Sequence, residues 1–308
     1  MITNSIPTAT GNLLEILSPQ DLQNAKIKTI ALNLLPLWAR PSAEVIDNIP
    51  SLNKWISTAQ QTIPINGLQW FYQNEIAAKI KENTLVYRSP FDGREIKITP
   101  QEFIKFQIKW QFAYAVTLSC PFYALKNVNA VKLFKSWIDN ALQAAQTNQQ
   151  KLLIELPCLP EAQLSEIIAS YENEPLIHGI VFFLEDKEDT FLIDQQIINS
   201  LSIPAHWQVS INTNLKYDLL SKIPKVQSLI TETPYNDAKQ GAFYHQGQKV
   251  SLKETRFIAD TQPLDLACSC DTCVNYTRSY LHHLLEAKEV FAWRLIAVHN
   301  WQNFGMIF

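Results

Sequence analysis

Four short apolar runs recur along the middle of the chain: Leu152 to Leu156, Gly179 to Leu184, Trp207 to Ile211 and Val226 to Ile230. Each is too short for a helix and suits a strand covered on both faces. Between them the spacing of apolar residues changes to the helical one. Leu164, Ile167, Ile168 and Tyr171 fall on one face of Glu161 to Tyr171, and Ile197, Ile198 and Leu201 do so in Asp194 to Leu201. Asp218 to Ile223 reads as a shorter helical piece. Strand and helix alternate as parallel βα units require, so the predicted class is α/β, a barrel or a doubly wound sheet.

The glycine count narrows what such a fold can bind. Only 7 of 308 residues are Gly, and they stand apart at 11, 67, 93, 179, 241, 247 and 305. Gly-rich phosphate loops need clustered glycines, which excludes a dinucleotide-binding or P-loop enzyme. A net charge of -3 gives no basic surplus for a nucleic-acid backbone. With 47% hydrophobic and 18% charged residues there is ample material for a core. No apolar run reaches the roughly 18 residues of a membrane span. Met1-Ile2-Thr3-Asn4 does not open a signal peptide, so a cytoplasmic location is expected.

Local signals place further elements. Ser18-Pro19 and Thr99-Pro100 read as helix starts, and Thr29 to Leu35 as a strand. Val86 to Ile98 reads as a hairpin turning at Asp92-Gly93. Leu125 to Ala145 reads as a long helix. Asn275 to about Phe304 reads as another, with Tyr280, Leu284, Ala287, Phe291, Leu295 and Val298 on one stripe. Nine carboxylates between Glu155 and Asp189 face only Lys151 and Lys187, and read as the solvated outer surface of the helices.

The sharpest chemical signal is Cys268-x-Cys270-x2-Cys273. Three thiols in six residues can converge on one tetrahedral ion, and a reducing compartment favours structural zinc. Spacing leaves the fourth ligand open among His282, His283 and His299.

The stretch from Asp260 through Cys273, followed by Asn275-Tyr276-Thr277-Arg278-Ser279-Tyr280-Leu281-His282-His283-Leu284 and closed by His299-Asn300, resembles the zinc subdomain of tRNA-guanine transglycosylases, the queuine tRNA-ribosyltransferase family. Leu37-Trp38-Ala39-Arg40-Pro41, Tyr87 to Gly93 with Thr99-Pro100, and Pro234, Ala238, Lys239 and Gly241 resemble further motifs of that family. The resemblance covers nearly the whole chain from about Pro7. It implies one barrel domain over 1–308, of the (β/α)8 type, with a zinc subdomain at about 260–304. It implies Cys268, Cys270, Cys273 and His299 as ligands of one structural zinc. The family's usual N-terminal β segment is expected to be missing.

The resemblance also implies where chemistry should sit. The family's nucleophilic Asp falls on Ile230, its general-base Asp on Pro64 and its base-recognition Asp on Thr117. Its glycine pair falls on Phe182-Phe183. The Gln of V-Q-G-G falls near Pro157, a glycine of D-S-G-G-F-Q on Asn66, and the Arg of P-T-R on Asn236. Of that set Gln69 survives. Isoleucine cannot attack carbon and proline cannot move a proton. The expectation is therefore a catalytically inactive accessory subunit, forming a homodimer or pairing with an active subunit. Displaced carboxylates Glu232 and Asp237 are the weaker catalytic alternative, and tRNA binding without modification is a third. Trp38 is expected to pack the barrel and Arg40 to make a surface contact. Tyr276, Tyr280 and Leu284 are expected to be core contacts that seat the zinc loop, and Arg278 to touch a phosphate.

Overall fold

The computed structural model describes residues 4–9, 16–49, 52–186, 188–214 and 223–304. Eight parallel strands form one sheet: β1 (Asn4–Ala9), β2 (Thr29–Asn33), β3 (Gln61–Ile65), β7 (Ala115–Val116), β8 (Leu152–Pro157), β9 (Ile177–Phe183), β10 (Gln208–Asn212) and β11 (Ser228–Thr231). Their order is β3-β2-β1-β11-β10-β9-β8-β7, and the two outermost strands, β3 and β7, come together to bring the sheet to near closure. This is the α/β barrel that the alternation and the resemblance predict. The numbers β4 to β6 belong to a separate antiparallel sheet, Ala78–Lys81, Thr84–Arg88 and Glu95–Ile98, inserted in the connection from β3 to β7. Two of its strands are the expected hairpin. The first, Ala78–Lys81, is missed by the sequence because its alternation lasts only four residues.

The seam between β3 and β7 is fastened by a side chain. Just beyond β3, the Asn66 amide donates to the Thr117 carbonyl oxygen at 2.8 Å and accepts the Ser119 N–H at 2.9 Å. The amide reproduces the donor-acceptor pattern of a strand neighbour. The next residue, Gly67, has φ +84, and a Cβ there would stand 2.6 Å from the Cβ of Asn33, so only glycine fits the turn.

The helices begin where capping chemistry directs. Helix α1 (Pro19–Asn24) carries a capping box between Ser18 and Asp21. Next comes α2 (Leu68–Gln73), and α3 (Pro100–Lys109) carries a second box between Thr99 and Glu102. Helix α4 (Ala130–Gln146) starts five residues later than expected, because Phe122–Leu125 is a 3-10 turn before the Asn129 cap. Helices α5 (Glu161–Tyr171) and α6 (Glu188–Ser200) follow β8 and β9. The helical piece expected at 218–223 lies outside the described residues except at its last position. Helix α7 (Thr233–Lys239) follows β11, and the hairpin β12 (Ala242–His245) with β13 (Gln248–Ser251) leads into the cysteine loop.

The expected single C-terminal helix is three: α8 (Asp271–Asn275), α9 (Arg278–Glu286) and α10 (Val290–Asn303). Thr277 caps α9, and Lys288 at φ 57 breaks the chain before α10. The predicted stripe therefore does not exist. Leu284, Leu295 and Val298 are buried, but Tyr280 is 43% and Phe291 37% exposed.

Candidate functional site

The cysteine loop sits between the β12–β13 hairpin and α10. Cys268, Cys270, Cys273 and His299 each aim one ligand atom at a common point, and these atoms all lie within 4.8 Å of one another. His299 Nδ1 is 3.2 Å from Cys273 Sγ and 3.6 Å from Cys270 Sγ. Ligands about 2.0 and 2.3 Å from a tetrahedral ion stand roughly 3.6 Å apart. The tautomer fits as well. His299 Nε2 is 2.7 Å from the Tyr244 carbonyl oxygen, so Nε2 carries the proton and Nδ1 is left for a metal. Backbone N–H groups of Cys270 and Cys273 point at the sulfurs of Cys268 and Cys270, at 3.5 and 3.3 Å. Such donors stabilise thiolates. The set fits a closed metal centre with four protein ligands and no position for substrate.

His282 and His283 are not at this centre. His282 is buried with Nδ1 2.8 Å from the Leu252 carbonyl oxygen, and His283 is exposed.

The surroundings hold the loop in place. Asn300 donates to the carbonyl oxygens of Pro234 and Ala242 and accepts the Tyr244 N–H, tying α10 to α7 and β12. Arg278 donates to Asp260 at 3.0 Å and to the Leu264 carbonyl oxygen at 2.9 Å, and its guanidinium lies over the Phe243 and Phe257 rings. The Gln262 N–H and Arg278 hold the Asp260 carboxyl below its usual range. Arg278 thus seats the cysteine loop. Tyr276 packs partly buried against the core, while Tyr280, stacked on it at 5.9 Å, is exposed.

The barrel mouth presents a different chemistry. Ile230, Thr117, Phe182 and Phe183 are each 1% exposed or less, and Pro64 is buried. The Tyr72 ring stacks on Phe183 with centroids 5.6 Å apart and packs edge-on against Tyr123. The Tyr72 hydroxyl donates to Glu185 at 2.6 Å and accepts the Phe122 N–H. Burial and the Glu185 carboxylate push that phenol upward, so it stays a donor. Gln69 is turned to Asp186, 2.5 Å away, and Asp186 also accepts from the Asn214 N–H and the Thr213 hydroxyl.

The two displaced carboxylates are both engaged. Glu232 accepts from Gln73 at 3.0 Å, and its own N–H donates to Asn214. Asp237 accepts from the Tyr244 hydroxyl at 2.9 Å and pairs with Lys249, which fastens α7 to the β12–β13 hairpin. Asp237, Asp186, Asn214, Lys239 and Lys249 line a polar cleft of about 520 Å³. Trp38 packs on Phe106 at 4.9 Å, while Arg40 is exposed and lies over the Phe91 ring.

One polar residue of the barrel escapes the sequence reading. Glu155 is fully buried, so the acidic stretch is not wholly a solvated surface. Its Oε2 accepts the Asn66 N–H at 2.9 Å, its N–H donates to the Thr117 hydroxyl at 3.1 Å, and Oε1 has no partner among the described residues. Burial raises its pKa to about 7. The signal lay in its setting: Glu155 stands inside the apolar run Leu152 to Leu156, which reads as a strand covered on both faces.

A family model described as queuine tRNA-ribosyltransferase matches residues 4–158 and 230–306. Among relatives, the queuine tRNA-ribosyltransferase of Dehalococcoides mccartyi (strain CBDB1) is 26% identical over 305 residues, covering 96% of this chain and 77% of its own. Those of Thermosynechococcus vestitus and Prochlorococcus marinus (strain MIT 9211) are 25% and 24% identical, with 80% and 82% of their lengths covered. The family match lapses between 158 and 230, the stretch that holds Phe182 and Phe183. Barrel, cysteine–histidine centre and sequence likeness agree: the chain belongs to the queuine tRNA-ribosyltransferase family.

Proposed function

We propose that this protein is a catalytically inactive member of its family, an accessory subunit of tRNA base modification that keeps a structural zinc. The burial of Ile230, Pro64, Thr117, Phe182 and Phe183 at the positions of the family's nucleophile, general base and purine site carries this reading. A nucleophile, a proton carrier and a slot open to a base are all needed at once, within sub-ångström tolerance. Asp237 has a structural partner in Lys249, and Glu232 shares Asn214 and Gln73 with the neighbouring loops, which weighs against displaced acids.

The partner surface is the zinc subdomain. Ile258, Leu266, Val274, Tyr280, Val290 and Phe291 are all exposed there, from 37% to 77%. Apolar exposure on that scale marks an association surface, either with a second copy or with an active subunit. The protein works in the cytoplasm, and no described helix is long and apolar enough to cross a membrane.

Two assays test the reading. Purified protein incorporates no labelled guanine into tRNA, and an affinity-tagged copy co-purifies with an active queuine tRNA-ribosyltransferase or with itself. Turnover by the isolated protein that a Glu232→Gln variant abolishes would overturn it.

A further inference from the structure

His299 and Asn303 stand four residues apart in α10 and share a helix face. The Asn303 amide nitrogen lies 2.8 Å from the His299 carbonyl oxygen and 3.1 Å from Cys268 Sγ. His299 Nδ1 lies 3.3 Å from the same nitrogen, but a metal would take its lone pair, so the two N–H groups go to the carbonyl oxygen and the sulfur, one for each. Asn303 is 7% exposed, and its packing holds that orientation. Cys268 is also the one ligand of the four that is only half-buried; the other three are buried. It is the thiolate that water and competing chelators can reach. Its sulfur receives two donors, the Asn303 amide and the Cys270 N–H.

We propose that Asn303 is a positioning residue of the metal centre, whose N–H···S bond holds the Cys268 thiolate on the metal and slows metal loss through this half-buried ligand. The proposal rests on the reading that a metal occupies the Cys3His set. A thiolate leaves a metal most readily when its remaining lone pairs take up a proton. An N–H donated to those lone pairs lowers their basicity and fixes the sulfur in place. Removal of hydrogen-bond partners of metal ligands costs about 10–100-fold in metal affinity.

The test compares zinc-loaded wild type with Asn303→Leu and Asn303→Ser. Leucine removes both bonds. Serine can still return a hydroxyl to the His299 carbonyl but is too short to reach Cys268. Zinc transfer to 4-(2-pyridylazo)resorcinol is timed, and the thiolate-to-metal charge-transfer band of the cobalt-substituted proteins is recorded. Both variants are expected to release zinc about 10-fold faster or more, and to move the band to longer wavelength as the sulfur loses its donor. A serine variant that melts like wild type yet keeps its release rate and its band overturns the proposal. So does fast release confined to the leucine variant, which would assign the effect to the helix bond. A wild type that takes up neither zinc nor cobalt overturns the metal reading itself, and the proposal with it.

Discussion

Glu155→Gln isolates the cost of a carboxylic acid enclosed in the barrel. The wild-type side chain is fully buried, one oxygen accepts a single N–H, and the other has no partner among the described residues. Burial raises its pKa from 4.5 to about 7. The unfolded chain then gives up this proton near pH 4.5 while the folded chain keeps it to about pH 7, so the folded state binds more protons in that window. Stability therefore falls as pH rises from about 4.5 to about 7, and this contribution is flat outside those limits. At about 1.4 kcal/mol for each pKa unit, the loss is on the order of 3 kcal/mol above pH 7. Glutamine keeps an acceptor for the Asn66 N–H and cannot ionise. The two proteins should be equally stable near pH 4.5, and the variant more stable by about 3 kcal/mol at pH 8. For a chain of this length that is about 5 °C in melting temperature. Thermal unfolding followed by circular dichroism from pH 4.5 to 8 reads the difference. Parallel profiles for the two proteins would refute the reasoning.

Other outcomes follow from the same structure. Asn66→Ala removes both seam bonds and leaves the Ser119 N–H without its acceptor, so urea titration should show a loss of about 2–3 kcal/mol. Gly67→Ala forces a Cβ against Asn33 at positive φ and should cost about 1–3 kcal/mol in the same assay. On the proposed reading Ile230→Asp restores the family's nucleophile type, but it buries an unpaired charge in the barrel. It should destabilise the protein by several kcal/mol and still incorporate no guanine into tRNA. Cys270→Ser should abolish stoichiometric zinc, measured by atomic emission, and lower the melting temperature, because structural zinc contributes directly to folding.

Part of this protein is written in its local sequence. The βα rhythm, the capping boxes at Ser18 and Thr99, and the turn at Asp92-Gly93 are short-range signals, and the chain obeys each of them. The cysteine triplet is equally local, since six residues of loop suffice to converge three sulfurs. Tertiary structure decided what spacing could not. It chose His299 over His282 and His283, because only α10 folds back over the loop with the Tyr244 carbonyl oxygen fixing the ring. It cut the C-terminal stripe into three helices, since burial follows the neighbouring surface and not the period alone. It took Glu155 out of an acidic run that reads as solvated and enclosed it in the barrel, where strand register aims it at Asn66, 89 residues away. The sequence by itself determined the family and the class of fold. Only the packed barrel decided which side chains fill its interior, because which of them meet across a nearly closed sheet depends on register and curvature that no short stretch of chain encodes.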